Sequence, residues 1–477
     1  MKKRSQAALG ALFLVTCGVA ISDAAVFTVT SVADSGPGTL RQAILDNNAH
    51  AATSGSNRIE FAFTGTAPWV IKIQGTFLPP LKGPVVVGMK SDQAAAPVAA
   101  AVGGRGASGG RGGGRGAAVP VVRSVAELAP PIVLDGSGLV NCPGAGLAVE
   151  DSHDVEISGI EIRDFCAGIA TVRSNNVYIH DMKIVGNQGA AGVTFTDLSF
   201  NNRLVNSLLL DNRAGFGFAR GTHDSLLQGN YIALTQPVTE KRSAVNFATS
   251  GDNNALIGNT FTRFTDVAVT VGANHQTIRD NKFISNINGG LRASGSDLLI
   301  EGNTFTDNGG TAMTVGGARA RVLDNVITGS GGSGVVAENA TVTLSRNSIF
   351  NNAHLGISLV AAGAHPMLSN TSKWSADGII LNGTLTGKPN QRYSVELFAS
   401  RAEDRHTGDE HGWGEGERYL GTAYASADAA GKASFTLPLD LTDPFGNGQT
   451  TGFFTATATD SAGSTSIFSR ALPLRFR

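Results

Sequence analysis

The stretch IEGNTFTDNGGTAMTVGG, Ile300–Gly317, carries an asparagine, Asn303, that returns at Asn259, Asn281, Asn325 and Asn347, once every 22 residues. Apolar residues return with it. Two positions past the asparagine stand Phe261, Phe283, Phe305, Ile327 and Ile349, and three before it stand Leu256, Ile278, Ile300, Val322 and Leu344. A further column reads Val269, Leu291, Met313, Val335 and Ile357, with Val271, Ala293, Val315, Ala337 and Leu359 two residues on. Within each period the apolar residues alternate over three short runs separated by polar turns, which is strand spacing and not helical spacing.

Upstream the asparagine column continues through Asn230, Ser207, Met182 and Ile160, with successive spacings from Ile160 of 22, 25, 23, 29, 22, 22, 22 and 22. Nine coils are visible, and the longer spacings mark insertions. Apolar residues at a fixed offset in every coil stack parallel strands at ~4.8 Å and bury one continuous core. The expected fold is all-β: a parallel β-helix with three short strands per coil. The asparagines are expected to form a structural ladder, each amide bonding the next and the turn backbone. Together these columns resemble the right-handed, pectin-lyase-like β-helix superfamily. "TSVADSGPGTLRQAILDNN" further resembles the opening of bacterial secreted β-helix proteins of the CSLREA type. That resemblance implies that the short helix caps the first coil and hides its strand edge.

Four segments follow. Residues 1–24 have the layout of a secretory signal peptide, MKKR, an apolar stretch and small residues at Ser22 and Ala24. "LVTC", Leu14 to Cys17, approximates a lipobox, with Thr16 bulkier than usual. Residues 25–139 hold the cap and first coils: Thr39 and Gln42 form a capping box for a helix carrying Leu40, Ile44 and Leu45, and "RIEFAF", "WVIKI" and "PVVVGM" read as strands. A Gly/Arg/Ala-rich tract at 91–129 has no apolar periodicity and reads as a disordered loop. Its Arg105, Arg111 and Arg115 resemble RNA-binding RGG segments, but an exported chain is not expected to meet nucleic acid. Residues 140–370 are the repeats. Residues 377–477 alternate in antiparallel fashion between Gly, Asn and Asp turns and are expected to form a C-terminal Ig-like β-sandwich, similar to the module that follows β-helices in the same bacterial group.

Removing the signal segment, with its three basic residues and Asp23, takes the formal charge from −1 to −3. This balance favours neither nucleic acid nor an anionic membrane. No later stretch has the ~18 apolar residues of a membrane helix. The expected location is secreted, periplasmic or at the cell surface, where Cys142 and Cys166 can pair as a disulfide or remain buried thiols.

The β-helix superfamily includes lyases, hydrolases, tailspikes and adhesins, so fold alone does not choose a function. The chain lacks the "GHG", "DPHE" and "WIDH" segments of enzymes of that resemblance. Outward on the second strand of the coil stand Ala170, Thr194, Gly217, Asn246, Thr270, Arg292, Thr314, Val336 and Ser358, a small and weakly charged wall. Glu161 and Lys183, and likewise Arg279, Glu301 and Arg321, are expected to stack as charge ladders. The densest polar grouping lies where the period breaks. Asp211 and Asp224 are candidate acid, base or Ca²⁺ ligands there, Arg220 and His223 candidate proton-transfer groups, and Arg213, Lys241 and Arg242 candidate substrate contacts. A second cluster, His406 to Glu417 around Trp413, reads as an acidic loop in which Trp413 is placed to contact a sugar face. The expected function is binding to, or display on, extracellular polysaccharide or a cell-surface glycan. The alternatives are a polysaccharide lyase or glycoside hydrolase acting on an acidic polysaccharide, and a structural surface protein or adhesin.

Overall fold

The computed structural model describes residues 23–50, 55–89, 128–140, 144–247, 250–339, 341–359, 363–401 and 414–477. Residues 1–22 of the signal segment, nearly all of the Gly/Arg tract, Cys142 and residues 406–413 of the His406 to Glu417 cluster, Trp413 among them, lie outside these residues.

The chain winds into a right-handed parallel β-solenoid whose coils contribute to three sheets. The first sheet has 12 strands, from Val26–Val29 to Thr343–Ser345; the second has 11, from Trp69–Gln74 to Ser348–Phe350; the third has 10, from Ala145–Glu150 to Ile357–Leu359. Phe261, Phe283, Phe305, Ile327 and Ile349 pair in register down the second sheet and are buried, and Phe283 stacks on Phe305 at 4.4 Å. Leu256, Ile278, Ile300, Val322 and Leu344 do the same in the first sheet, and Val269 to Ile357 in the third. The outward column from Ala170 to Ser358 is also in register. Glu161 lies opposite Lys183, with their charges 3.0 Å apart. Arg279 faces Glu301, but Arg321 does not extend that ladder. It pairs with Leu299, and Leu323 faces Glu301. The 22-residue period places position 323 above 301, so the expected column was offset by two.

The asparagine ladder runs unbroken from Asn230 to Asn347. Each Nδ2 donates to the next Oδ1 at 2.9–3.0 Å, and each backbone N–H donates to the same oxygen. Asn303 Nδ2 also reaches the Ile278 carbonyl at 2.8 Å, so a fully buried amide closes the bend between the first and second sheets. Sequence reading missed two further ladders. Asn187 and Asn212, then Asn286 and Asn308, line the bend from the second sheet to the third. Asn202, Ser225, Asn254 and Gln276 line the bend from the third to the first.

Both ends are covered. Thr39 caps the helix Leu40–Ala49, which buries Leu40, Ala43 and Ile44 against the first coil while Leu45 stays exposed. Downstream, two four-stranded antiparallel sheets form a C-terminal β domain with its own core around Trp374, Val395, Leu397 and Phe454. That domain seals the last coil with hydrogen-bonding side chains. Glu396 accepts from Arg346 N at 2.8 Å and from the Ser345 hydroxyl, Glu415 from Asn352 Nδ2 at 2.9 Å, and Thr465 Oγ1 from Leu344 N at 2.9 Å.

Candidate functional site

The residues expected to act together occupy two different corners. Asp211 sits in the turn from the second sheet to the third, at φ 53°, and its carboxylate is taken up by Thr235 N at 2.6 Å, the Thr235 hydroxyl and Gln236 N at 3.4 Å. Arg242, on the inserted segment, pairs with Glu240 at 2.8 Å and leans toward the carbonyls of Asp211 and Asn212. Arg213 and Lys241 are exposed nearby. Asp224, Arg220 and His223 lie at the turn from the third sheet to the first. His223 holds Asp224 at 2.7 Å and stacks face to face on Phe200 at 5.3 Å, and Arg220 pairs with Asp197 at 3.2 Å. Asp211 and Asp224 therefore do not converge. Insertions that lengthen the coil at one corner do not bring it closer to the next.

Convergence occurs instead on the outer wall of the first sheet. Side chains alternate along each strand, so on His153–Ser158, Asn175–His180 and Arg203–Val205 the interior receives Val155, Ile157, Val177, Ile179 and Leu204. Glu156, Tyr178 and Arg203 then face outward in one register column, above Arg58 and Val86 of earlier coils. Beside it, Glu60, Gly88, Ser158, His180 and Val205 form the next column. Gly88 keeps the second column shallow: a β-carbon there would come within 2.9 Å of Ser158 Oγ.

His180 is the centre of this wall. Its ring stacks on Tyr178 at 4.4 Å and 24°, Nδ1 lies 2.8 Å from Asp181 Oδ2, and Nε2 lies 3.4 Å from Glu156 Oε1. Burial opposes its charge, but the hydrogen bonds and attraction of Asp181 and Glu156 prevail and push its pKa up to about 9. The hydrogen bond from His180 holds Glu156 below the usual carboxylate range despite desolvation, with Arg58 contributing. Desolvation, then Asp181 and Glu156, raise the Tyr178 phenol. At neutral pH the wall therefore presents an imidazolium, a carboxylate, a neutral phenol and the exposed Arg203 guanidinium. The sequence contained the signal for this. Glu156 and Tyr178, and Ser158 and His180, are each 22 residues apart, as the ladder asparagines are.

On the second sheet Arg163 bridges Asp135 at 2.9 Å and Glu161 at 3.6 Å. Beyond it Cys166 is disulfide-bonded, and the expected partner Cys142 lies outside the described residues. Among the described residues no group of three or more His, Cys, Asp or Glu side chains is placed to hold a metal ion. None of their helices is long and apolar enough to cross a membrane.

Comparison with known proteins agrees with the fold. The family described as right handed beta helix region matches residues 243–386, and the periplasmic copper-binding protein NosD family matches residues 136–289. The first of these matches agrees with the right-handed parallel β-solenoid that the chain forms. A curated relative, the 3-dehydroshikimate dehydratase of Acinetobacter baylyi (strain ATCC 33305 / BD413 / ADP1), is 28% identical over 289 residues, covering 54% of this chain and 51% of that protein. The chain thus spans about half the length of the curated relative it matches. Similar solved structures include Geobacillus virus E2 ORF18, with a TM-score of 0.44 and 12% identity over 93% of this chain and 86% of that one. The catalytic domain of a GH87 α-1,3-glucanase in complex with tetrasaccharides gives a TM-score of 0.43 and 11% identity, over 70% and 66%. The tailspike of E. coli bacteriophage HK620 in complex with a pentasaccharide gives 0.37 and 10%, over 88% of each chain. These likenesses concern the fold alone. The copper of the NosD description finds no fitting donor set among the described residues, so no chemistry is derived through it.

Proposed function

We propose that this is an exported β-helix protein that binds polysaccharide along the outer wall of its first sheet, over the strands carrying Glu156, Tyr178 and Arg203. The observation that supports it is their arrangement in one column, one side chain per coil. An extended polymer lying along the solenoid axis meets a new contact every ~4.8 Å. The stacked Tyr178 and His180 rings offer a flat surface with a polar edge, suited to the apolar face of a sugar. Arg203 offers paired donors to a uronate or other acidic group. His180, Glu156 and Tyr178 all have pKa values displaced away from neutrality, so each holds one protonation state. That suits recognition better than proton transfer, which works best with a pKa near the working pH.

Affinity electrophoresis or calorimetry against polygalacturonate, alginate and a neutral glucan tests this, with and without Ca²⁺. An acidic polymer is expected to bind, and Tyr178→Ala and Arg203→Ala each to weaken it about tenfold, or ~1.4 kcal/mol. Absence of binding to every polymer would sink the reading.

A second reading, elimination chemistry at the same wall, is favoured by one observation: the curated relative is by name a dehydratase. Unsaturated products from an acidic polysaccharide or a small hydroxy acid, lost in Glu156→Gln and Tyr178→Phe, would support it. A protein that binds polymer and releases no product would exclude it.

A further inference from the structure

At the turn from the second sheet to the third, beside the disulfide-bonded Cys166, a cavity of about 230 Å³ opens. It is separate from the first-sheet wall. Phe77 and Phe165 form its apolar sides, Asp164 stands at its edge, and Gln188 completes the rim.

Each part is held by the fold. Arg41, from the N-terminal helix, donates to the carbonyls of Thr76 and Phe77 while paired with Asp34, which fixes the loop that presents the Phe77 ring. Phe165 packs so closely on Gly136 that a β-carbon at that position would come within 2.7 Å of its ring. Gln188 is anchored through Nε2 on the Asp211 carbonyl at 2.7 Å.

Asp164 is the unusual member. It occupies the same left-handed turn position as Gly186 and Asp211 in the next two coils, each backbone N–H bonding the coil that follows. Asp211 has its carboxylate filled by Thr235 and Gln236 from the coil above. Gly186 supplies nothing equivalent to Asp164, and even a β-carbon there would lie 3.3 Å from Asp164 Oδ1. Asp164 accepts no hydrogen bond from the described residues, and its nearest cation is Arg163 Nε at 4.0 Å. Its side chain is 51% exposed, so water meets its lone pairs, and an acceptor open to solvent beside two aromatic rings suits a ligand that donates hydrogen bonds and has an apolar face. Asp135 and Glu161 add negative charge close by, which disfavours an anion. The volume lies below the roughly 300–1,000 Å³ of drug-sized pockets, and so holds one ring.

We propose that this cavity is a second binding site, for a single neutral pyranose, with adjacent hydroxyls donating to Asp164 and the ring face lying against Phe77. It takes a different class of ligand from the acidic polymer assigned to the wall.

Saturation-transfer NMR and calorimetry with methyl α-glucopyranoside and methyl β-galactopyranoside test it, with n-butylammonium as a cationic control. At least one glycoside is expected to bind. Asp164→Asn, which keeps a side chain tolerant of the left-handed turn, and Phe77→Ala are each expected to weaken it about tenfold with an unchanged thermal midpoint. Binding should also decline as the pH falls and Asp164 takes up a proton, which a purely structural role would not produce. Failure of both glycosides to bind, binding of the ammonium alone, or glycoside binding indifferent to both substitutions would each overturn the proposal.

Discussion

Asn303 shows what one repeated side chain does in this fold. Its amide donates to Asn325 and to two carbonyls, and its oxygen receives the Asn281 side chain and backbone. Asn303→Leu would leave several of these buried groups without partners, at about 1–3 kcal/mol for each unsatisfied group. The expected result is a drop of at least about 3 kcal/mol in chemical denaturation with polymer binding retained in the folded fraction. A stable variant that had lost binding would contradict a structural role. His180 makes the opposite kind of contribution, one that depends on pH. Its folded pKa of about 9 exceeds the ordinary 6.5, so the stability it adds is complete below about pH 6.5 and lost as the pH rises through 9. His180→Gln should therefore cost about 2 kcal/mol at pH 6 and nearly nothing at pH 10, allowing for partial exposure of the pair. A difference that stays constant with pH would show that the imidazolium is not held by Asp181 and Glu156.

Among elements, the strands were the most legible part of the chain, because a period of two within a period of 22 leaves little freedom in which faces turn inward. Register errors were costly all the same. Displacing Arg321 by two residues created an apparent charge ladder where the structure pairs it with Leu299. The second ladder was readable in principle, since Asn286, Asn308 and Asn352 each follow a first-ladder asparagine by five residues. What no repeat could reveal is how that ladder ends. Asn352 donates to Glu415, a residue 63 positions away in the C-terminal domain, at 2.9 Å. Glu415→Ala should destabilise the junction by about 2 kcal/mol and raise amide exchange first in the last coil. Unchanged exchange there would show that the cap rests on Glu396 and Thr465 instead.

For the whole molecule, the repeat spacing and apolar columns by themselves determined the coiled, parallel all-β architecture, because only stacked strands bury residues recurring at one offset. The helical cap and the change to antiparallel pairing near the C-terminus were equally local in origin, resting on the Thr39 N-cap, although the Gln42 side chain turns to Asp46 and does not close the expected capping box, and on turn residues. The proposed binding surfaces were not. Local density of charged residues pointed to Asp211 and Asp224, yet position on the coil's perimeter assigns them to separate corners where other side chains already satisfy them. Glu156, Tyr178 and Arg203 look unremarkable one at a time and become a continuous strip once successive coils are superposed. The open carboxylate of Asp164 likewise depends on a glycine one coil later and on a ring held by a distant arginine. Sequence determined the path of the backbone through local periodicity, and tertiary structure alone decided which side chains meet, because contacts across coils depend on register and on what each neighbouring coil leaves unfilled.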